Sequence, residues 1–161
     1  MHIFTIAILR WRDSMLSPTL EKYLICMYRM LQEESEMKIS DIAKKMNQPL
    51  QKTIQALQRM HYQKQIIYSS YQPLKVTDEG KKMAEYLIAR EELVSEFLKM
   101  LYIDRNFEQE KDLLCQYLSY ESLGQIEKFI MFARQYPEVT ERFGMFEKIV
   151  PQNTILPKLL N

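Results

Sequence analysis

Residues 39–80 read ISDIAKKMNQPLQKTIQALQRMHYQKQIIYSSYQPLKVTDEG, and the changes of period within this stretch decide the fold. Ile42, Ala43 and Met46 form one side of a short amphipathic segment that stops at Asn47-Gln48. Leu50, Ile54, Leu57 and Met60 then recur at the i, i+4, i+7 spacing of a helix face. Two β-rich runs follow, Gln65 to Tyr68 and Leu74 to Val76, bracketing the turn formers Ser69-Ser70-Tyr71-Gln72-Pro73. No Asp or Glu occurs from Ile42 to Thr77, while Lys44, Lys45, Lys52, Arg59, Lys64 and Lys75 supply six positive charges.

Helix, turn, helix and hairpin, in that order, make a winged helix-turn-helix, which places its second helix in a DNA major groove. The expected fold is mainly α, an N-terminal winged helix-turn-helix followed by a helical dimerisation domain. Gln51, Lys52, Gln55, Gln58 and Arg59 lie away from the apolar stripe of the second helix. Gln pairs bidentately with adenine and Arg with guanine, and lysines neutralise phosphates. The predicted DNA contacts are Lys44, Lys45, Gln51, Lys52, Thr53, Gln55, Arg59 and Tyr71. Thr53 is assigned to a phosphate or a thymine methyl, and Tyr71, with Gln72, to backbone or minor groove at the wing tip.

The chain has 161 residues and a formal net charge of +1, which divides unevenly. Removing the six basic charges of residues 42–77 leaves −5 for the remainder. A basic face on an otherwise acidic chain is the footprint of a polyanion partner; a solvated lysine face is the plainer alternative. The hydrophobic fraction of 47% argues for a folded core. Cys26 and Cys115 are too few for a disulfide framework, which fits a reducing cytoplasm. No apolar run reaches the ~20 residues needed to span a bilayer, and Ile3–Leu9 lacks the flanks of a signal peptide.

Residues 1–14 read as an extension. Ser17-Pro18 then has the signature of an N-cap and first helical residue. The helix they open runs to about Glu33, with Leu20, Tyr23, Leu24, Met27, Tyr28 and Leu31 on its apolar face. Residues 15–82 are assigned to the winged helix-turn-helix. A long helix capped by Thr77 extends to about Leu101, and Glu91 falls on its apolar side, where a carboxylate is costly unless paired or ligated. Helices from about Glu108 to Leu118 and after Ser119 complete a helical domain over 83–136. A domain this small is expected to bury its apolar face against a second copy, and a homodimer suits two DNA half-sites. Residues 137–161, with Pro137, Gly144, Pro151 and Pro157, are expected to be an irregular tail.

Several of these residues resemble a known family. Ser17-Pro18-Thr19-Leu20-Glu21-Lys22-Tyr23-Leu24 looks like the opening of the metal-dependent repressors related to the diphtheria toxin repressor, and most like their smaller manganese transport regulators. Ile39-Ser40-Asp41-Ile42-Ala43, Leu74-x-x-Thr77-x-x-Gly80-Lys81, Arg90 with Glu92-Leu93, Phe97-Leu98 and Leu118-Ser119 continue the likeness over about residues 17–133. The resemblance implies a repressor of this kind without the C-terminal barrel of larger members. It also implies manganese or iron binding between helix one and the dimerisation domain. The ligand positions fall here on Lys22, Ile25, Glu91, Asp112, Cys115 and Gln116, a set poor in donors, while His2 and His61 are distant in sequence. No metal is therefore expected: a Lys22 ammonium paired with Glu91 or Asp112 would stand where the cation should. The alternatives are a manganese or iron ion on an altered site, or a decayed site.

Enzymatic chemistry finds no support. Only Gly80, Gly124 and Gly144 occur as glycines, so neither a phosphate-cradling loop nor a nucleophile elbow is present. Two further readings are a winged-helix protein-interaction module and thiol sensing through Cys26 and Cys115, against which two cysteines packed as small apolar residues weigh.

Overall fold

A computed structural model describes residues 16–33, 37–69 and 72–146. Its helices are α1 (Pro18–Glu33), α2 (Ile39–Lys45), α3 (Leu50–Tyr62), α4 (Asp78–Met100), α5 (Phe107–Tyr117), α6 (Tyr120–Gln135) and α7 (Pro137–Met145). Between α3 and α4 lie strands β1 (Ile66–Ser69) and β2 (Gln72–Val76). The chain divides into two compact units, residues 1–90 and 91–161. The expected extension of residues 1–14 lies outside the described residues.

The first unit is built around α1, which buries Leu20, Tyr23, Leu24, Ile25, Met27 and Met30. Ile42 of α2, Ala56, Leu57 and Met60 of α3, Ile66 and Val76 of the hairpin, and Met83, Ala84 and Leu87 of α4 close the same core. Two members of the expected α1 stripe are not fully buried: Leu31 is exposed, and Tyr28 packs against the edge of this core while its hydroxyl donates to Glu85 Oε1 at 2.7 Å. The turn between α2 and α3 depends on Asn47, whose φ of 48° is left-handed and tolerated by asparagine. The N–H groups of Asn47 and Gln48 return to the carbonyls of Lys44 and Ala43, ending α2, and Pro49 opens α3.

The hairpin is antiparallel, pairing Ile66 with Val76 and Ile67 with Lys75, and its register slips before Ser69 meets Gln72. At its base one hydroxyl does several tasks. Thr77 Oγ1 bonds the carbonyls of Lys64 and Gln65 at 2.8 and 3.0 Å and accepts the Gly80 N–H at 3.0 Å, capping α4. A Cβ at Gly80 would overlap the Gln65 carbonyl oxygen, so glycine lets the first turn of α4 press against the backbone just before β1.

The second unit has a smaller core of Val94, Leu98, Cys115 and Leu123. Ser119 caps α6, its hydroxyl accepting from Ser122 N at 3.1 Å. Phe97 meets Phe129 edge to face with centroids 6.1 Å apart, and Arg134 grips Glu96 through both oxygens at 2.9 and 2.6 Å. The expected irregular tail contains a helix instead, because Pro137 stands at its start, where a missing N–H costs nothing. Tyr102 holds α7: its ring stacks on Phe143 at 6.3 Å, and its hydroxyl reaches the Thr140 carbonyl at 3.4 Å. Residues 147–161 lie outside the described residues. No helix among the described residues is long and apolar enough to cross a membrane.

Candidate nucleic-acid interface

Helix α3 has two faces, and their phase differs from the one its leucines and isoleucine suggest. Thr53, Ala56, Leu57 and Met60 face the core, whereas Leu50 is 52% exposed and Ile54 half-buried. The small residues Thr53 and Ala56 are buried because α3 packs closely on α1. Gln51, Lys52, Gln55, Gln58, Arg59 and Tyr62 are exposed. With Ser17 and Leu20 at the start of α1, four of them (Gln55, Gln58, Arg59 and Tyr62) line a hollow of about 730 Å³. The face carries no carboxylate. It therefore offers amide and guanidinium groups that pair with base edges and a lysine that suits a phosphate.

Thr53 leaves the set of predicted contacts. It is fully buried, its Oγ1 lies 3.1 Å from Tyr23 Oη, and it donates back to the Pro49 carbonyl at 3.4 Å. The contact with Tyr23 ties α3 to α1. Lys44 and Lys45 are exposed beside α3, and Lys45 Nζ contacts Glu33 Oε2 at 3.1 Å. Such an exposed pair is worth no more than about 1 kcal/mol and gives way readily to a phosphate. Tyr71 lies outside the described residues. Two exposed side chains of α3 escape the sequence pattern: Tyr62, 89% exposed, and Leu50, which the pattern counts as core. Counting the buried small residues with the apolar set would have found them.

The implied metal positions can be judged residue by residue. Ile25 is apolar and buried in the first core, and Lys22 is a cation on the exposed side of α1. In the second unit Cys115 is buried, Glu91 half-buried, and Asp112 and Gln116 exposed. Lys111 lies among these carboxylates. Its hydrogen bond to Glu108 first, and the charges of Glu108, Glu91 and Asp112 after it, hold its ammonium above the usual lysine range against partial desolvation. Among the described residues no three His, Cys, Asp or Glu side chains converge as a metal would require. By their chemistry alone, Lys22 and Ile25 offer no donor to a divalent ion. Cys26, packed against the first core, has its thiol pushed up by burial, while Lys45 and Arg29 act in the opposite direction.

No family profile matches the chain. It is 24% identical over 135 residues to the HTH-type transcriptional regulator MntR of Bacillus pumilus (strain SAFR-032), covering 83% of this chain and 94% of the relative. Its fold matches the manganese regulator SloR with a TM-score of 0.63 at 18% identity, and the metal-dependent transcriptional regulator MtsR with 0.64 at 21%. Each match takes in 73% of this chain, which spans 55% of the length of either solved chain. These relatives overturn the expectation of a chain without a cofactor, since SloR is a manganese regulator and MtsR a metal-dependent one. The substituted ligand positions are not a sound basis for that expectation. These likenesses support the resemblance to the metal-dependent regulators of the diphtheria toxin repressor type: the chain is similar in sequence to MntR, and its mainly helical fold is similar to those of SloR and MtsR.

Proposed function

We propose that this chain is a sequence-specific DNA-binding transcriptional repressor, working as a homodimer in the cytoplasm and responsive to a divalent metal as its relatives are. The observation that carries the reading is the acid-free exposed face of α3, with Gln51, Lys52, Gln55, Gln58 and Arg59 together on a helix supported from behind by α1. Arg59 pairs with guanine and the glutamines with adenine, while Lys44, Lys45 and Lys52 hold phosphates and fix the register. Regulation, not catalysis, is the use of such a surface.

The exposed apolar side chains of the second unit support a dimer: Tyr117, Tyr120, Met131 and Phe132 are each at least 48% exposed. Two copies would present two reading helices to half-sites about 34 Å apart. The metal response comes to this chain from its relatives, and no step is assigned to the ion.

Duplexes retained from a random library by the full-length protein, with manganese present and then with a chelator, test the reading. Retained duplexes sharing a two-fold site, with affinity that falls steeply as salt rises, are the expected result; failure to enrich any sequence overturns it. Affinity unmoved by both manganese and chelator removes the metal response alone. With a site in hand, Arg59→Ala should cost about 1–3 kcal/mol and relax preference at one base pair. An equal loss on every sequence would make Arg59 a phosphate contact.

A further inference from the structure

Leu50 is the first residue of α3, and half of its surface is open to solvent. The core has no need of it, since Thr53, Ala56, Leu57 and Met60 provide the buried side of the helix. At 3.6 residues per turn, Leu50 and Ile54 stand one turn apart on one flank of the exposed face, with Lys52 and Arg59 on the other flank. Residues in the first turn of a reading helix are the ones that reach base edges. A leucine there has no hydrogen bond to offer. In the major groove the apolar mark that distinguishes one base from the others is the 5-methyl group of thymine.

The surroundings say which partner meets this leucine. Lys44 and Lys52 are exposed near it in sequence, and no carboxylate occurs from Ile42 to Thr77, so the surface draws a polyanion more strongly than an apolar protein face. Thr53, the sequence's own candidate for a thymine contact, is buried. We propose that Leu50 packs on a thymine methyl and sets a preference for thymine at one position of each half-site. The inference rests on the DNA-binding reading above and adds a base to it.

Duplexes selected by the full-length protein in manganese provide the probe. Each thymine in the shared site is replaced singly by uracil, which removes the methyl group and nothing else. One thymine per half-site should then weaken binding about fourfold, the factor given by burying one such group. Leu50→Ala should bind the thymine and uracil duplexes alike while keeping the wild-type thermal midpoint, because the side chain lies outside the core. Leu50→Met, which restores apolar reach, should recover the discrimination. Discrimination that survives in Leu50→Ala, or a site at which uracil is tolerated everywhere, overturns the inference and leaves DNA binding standing. If no duplex is selected at all, the regulator reading itself fails, and this inference with it.

Discussion

At the scale of single residues, Thr53 shows how far a side chain's role depends on which side of a helix it takes. Its hydroxyl meets Tyr23 inside the first core, so its contribution is to stability. Thr53→Val keeps the shape but strands a buried tyrosine hydroxyl, and should cost about 1–3 kcal/mol in denaturant unfolding. The folded variant's DNA affinity should be unchanged; a loss of affinity without a loss of stability would return Thr53 to the reading face. Tyr28 gives a pH-dependent counterpart. Its hydrogen bond to Glu85 raises the phenol above its ordinary 10.0, so the bond contributes fully below that value and is lost as pH climbs through the raised one. The wild type should therefore lose thermal stability above about pH 10 more steeply than Tyr28→Phe, a difference that parallel melts across that range would reveal.

Among the elements, the corner between the hairpin and α4 is the most constrained. Thr77 caps the helix and bonds two carbonyls of the turn between α3 and β1, and Gly80 sits where any Cβ would strike the Gln65 carbonyl. Gly80→Ala should destabilise by about 1–3 kcal/mol, as overpacking against rigid backbone does, and urea titration measures it. This corner was readable beforehand because its chemistry is local: Thr77 opens a helix and Gly80 follows three residues later. The helices and the hairpin were readable for the same reason, each carrying its own period. The phase of α3 was not. Leu50 and Leu57 are identical in sequence terms, yet one is half-exposed and the other fully buried, because α1 decides which side of α3 is covered. Helix α7 was missed for a related reason: Pro137 looks like a breaker until Tyr102, far away in sequence, supplies the ring on which Phe143 stacks.

For the whole molecule, the division of charge and of apolar surface gives the two units different partners. The first exposes Lys44, Lys45 and Lys52 on α2 and α3; the second leaves Tyr117, Tyr120, Met131 and Phe132 open. If a second copy covers Met131, Met131→Glu should leave each chain folded by circular dichroism while shifting sedimentation from dimer to monomer. DNA affinity should then fall by far more than loss of a surface methionine would explain, because one reading helix can no longer recruit the other. An unchanged dimer would move the interface elsewhere. The expectation of no metal came from the donor-poor residues at the implied ligand positions, and it yields to the metal-dependent regulators that the chain resembles, not to a site among the described residues.

The close approach at Gly80 carries a consequence for how the hairpin can be exchanged. A Cβ at Gly80 would fall on the Gln65 carbonyl oxygen, and the Thr77 hydroxyl bonds the same carbonyl at 3.0 Å. A hairpin cassette taken from another protein therefore has to end short of Thr77 and leave Thr77 to Gly80 in place, because the receiving backbone accepts no side chain at Gly80.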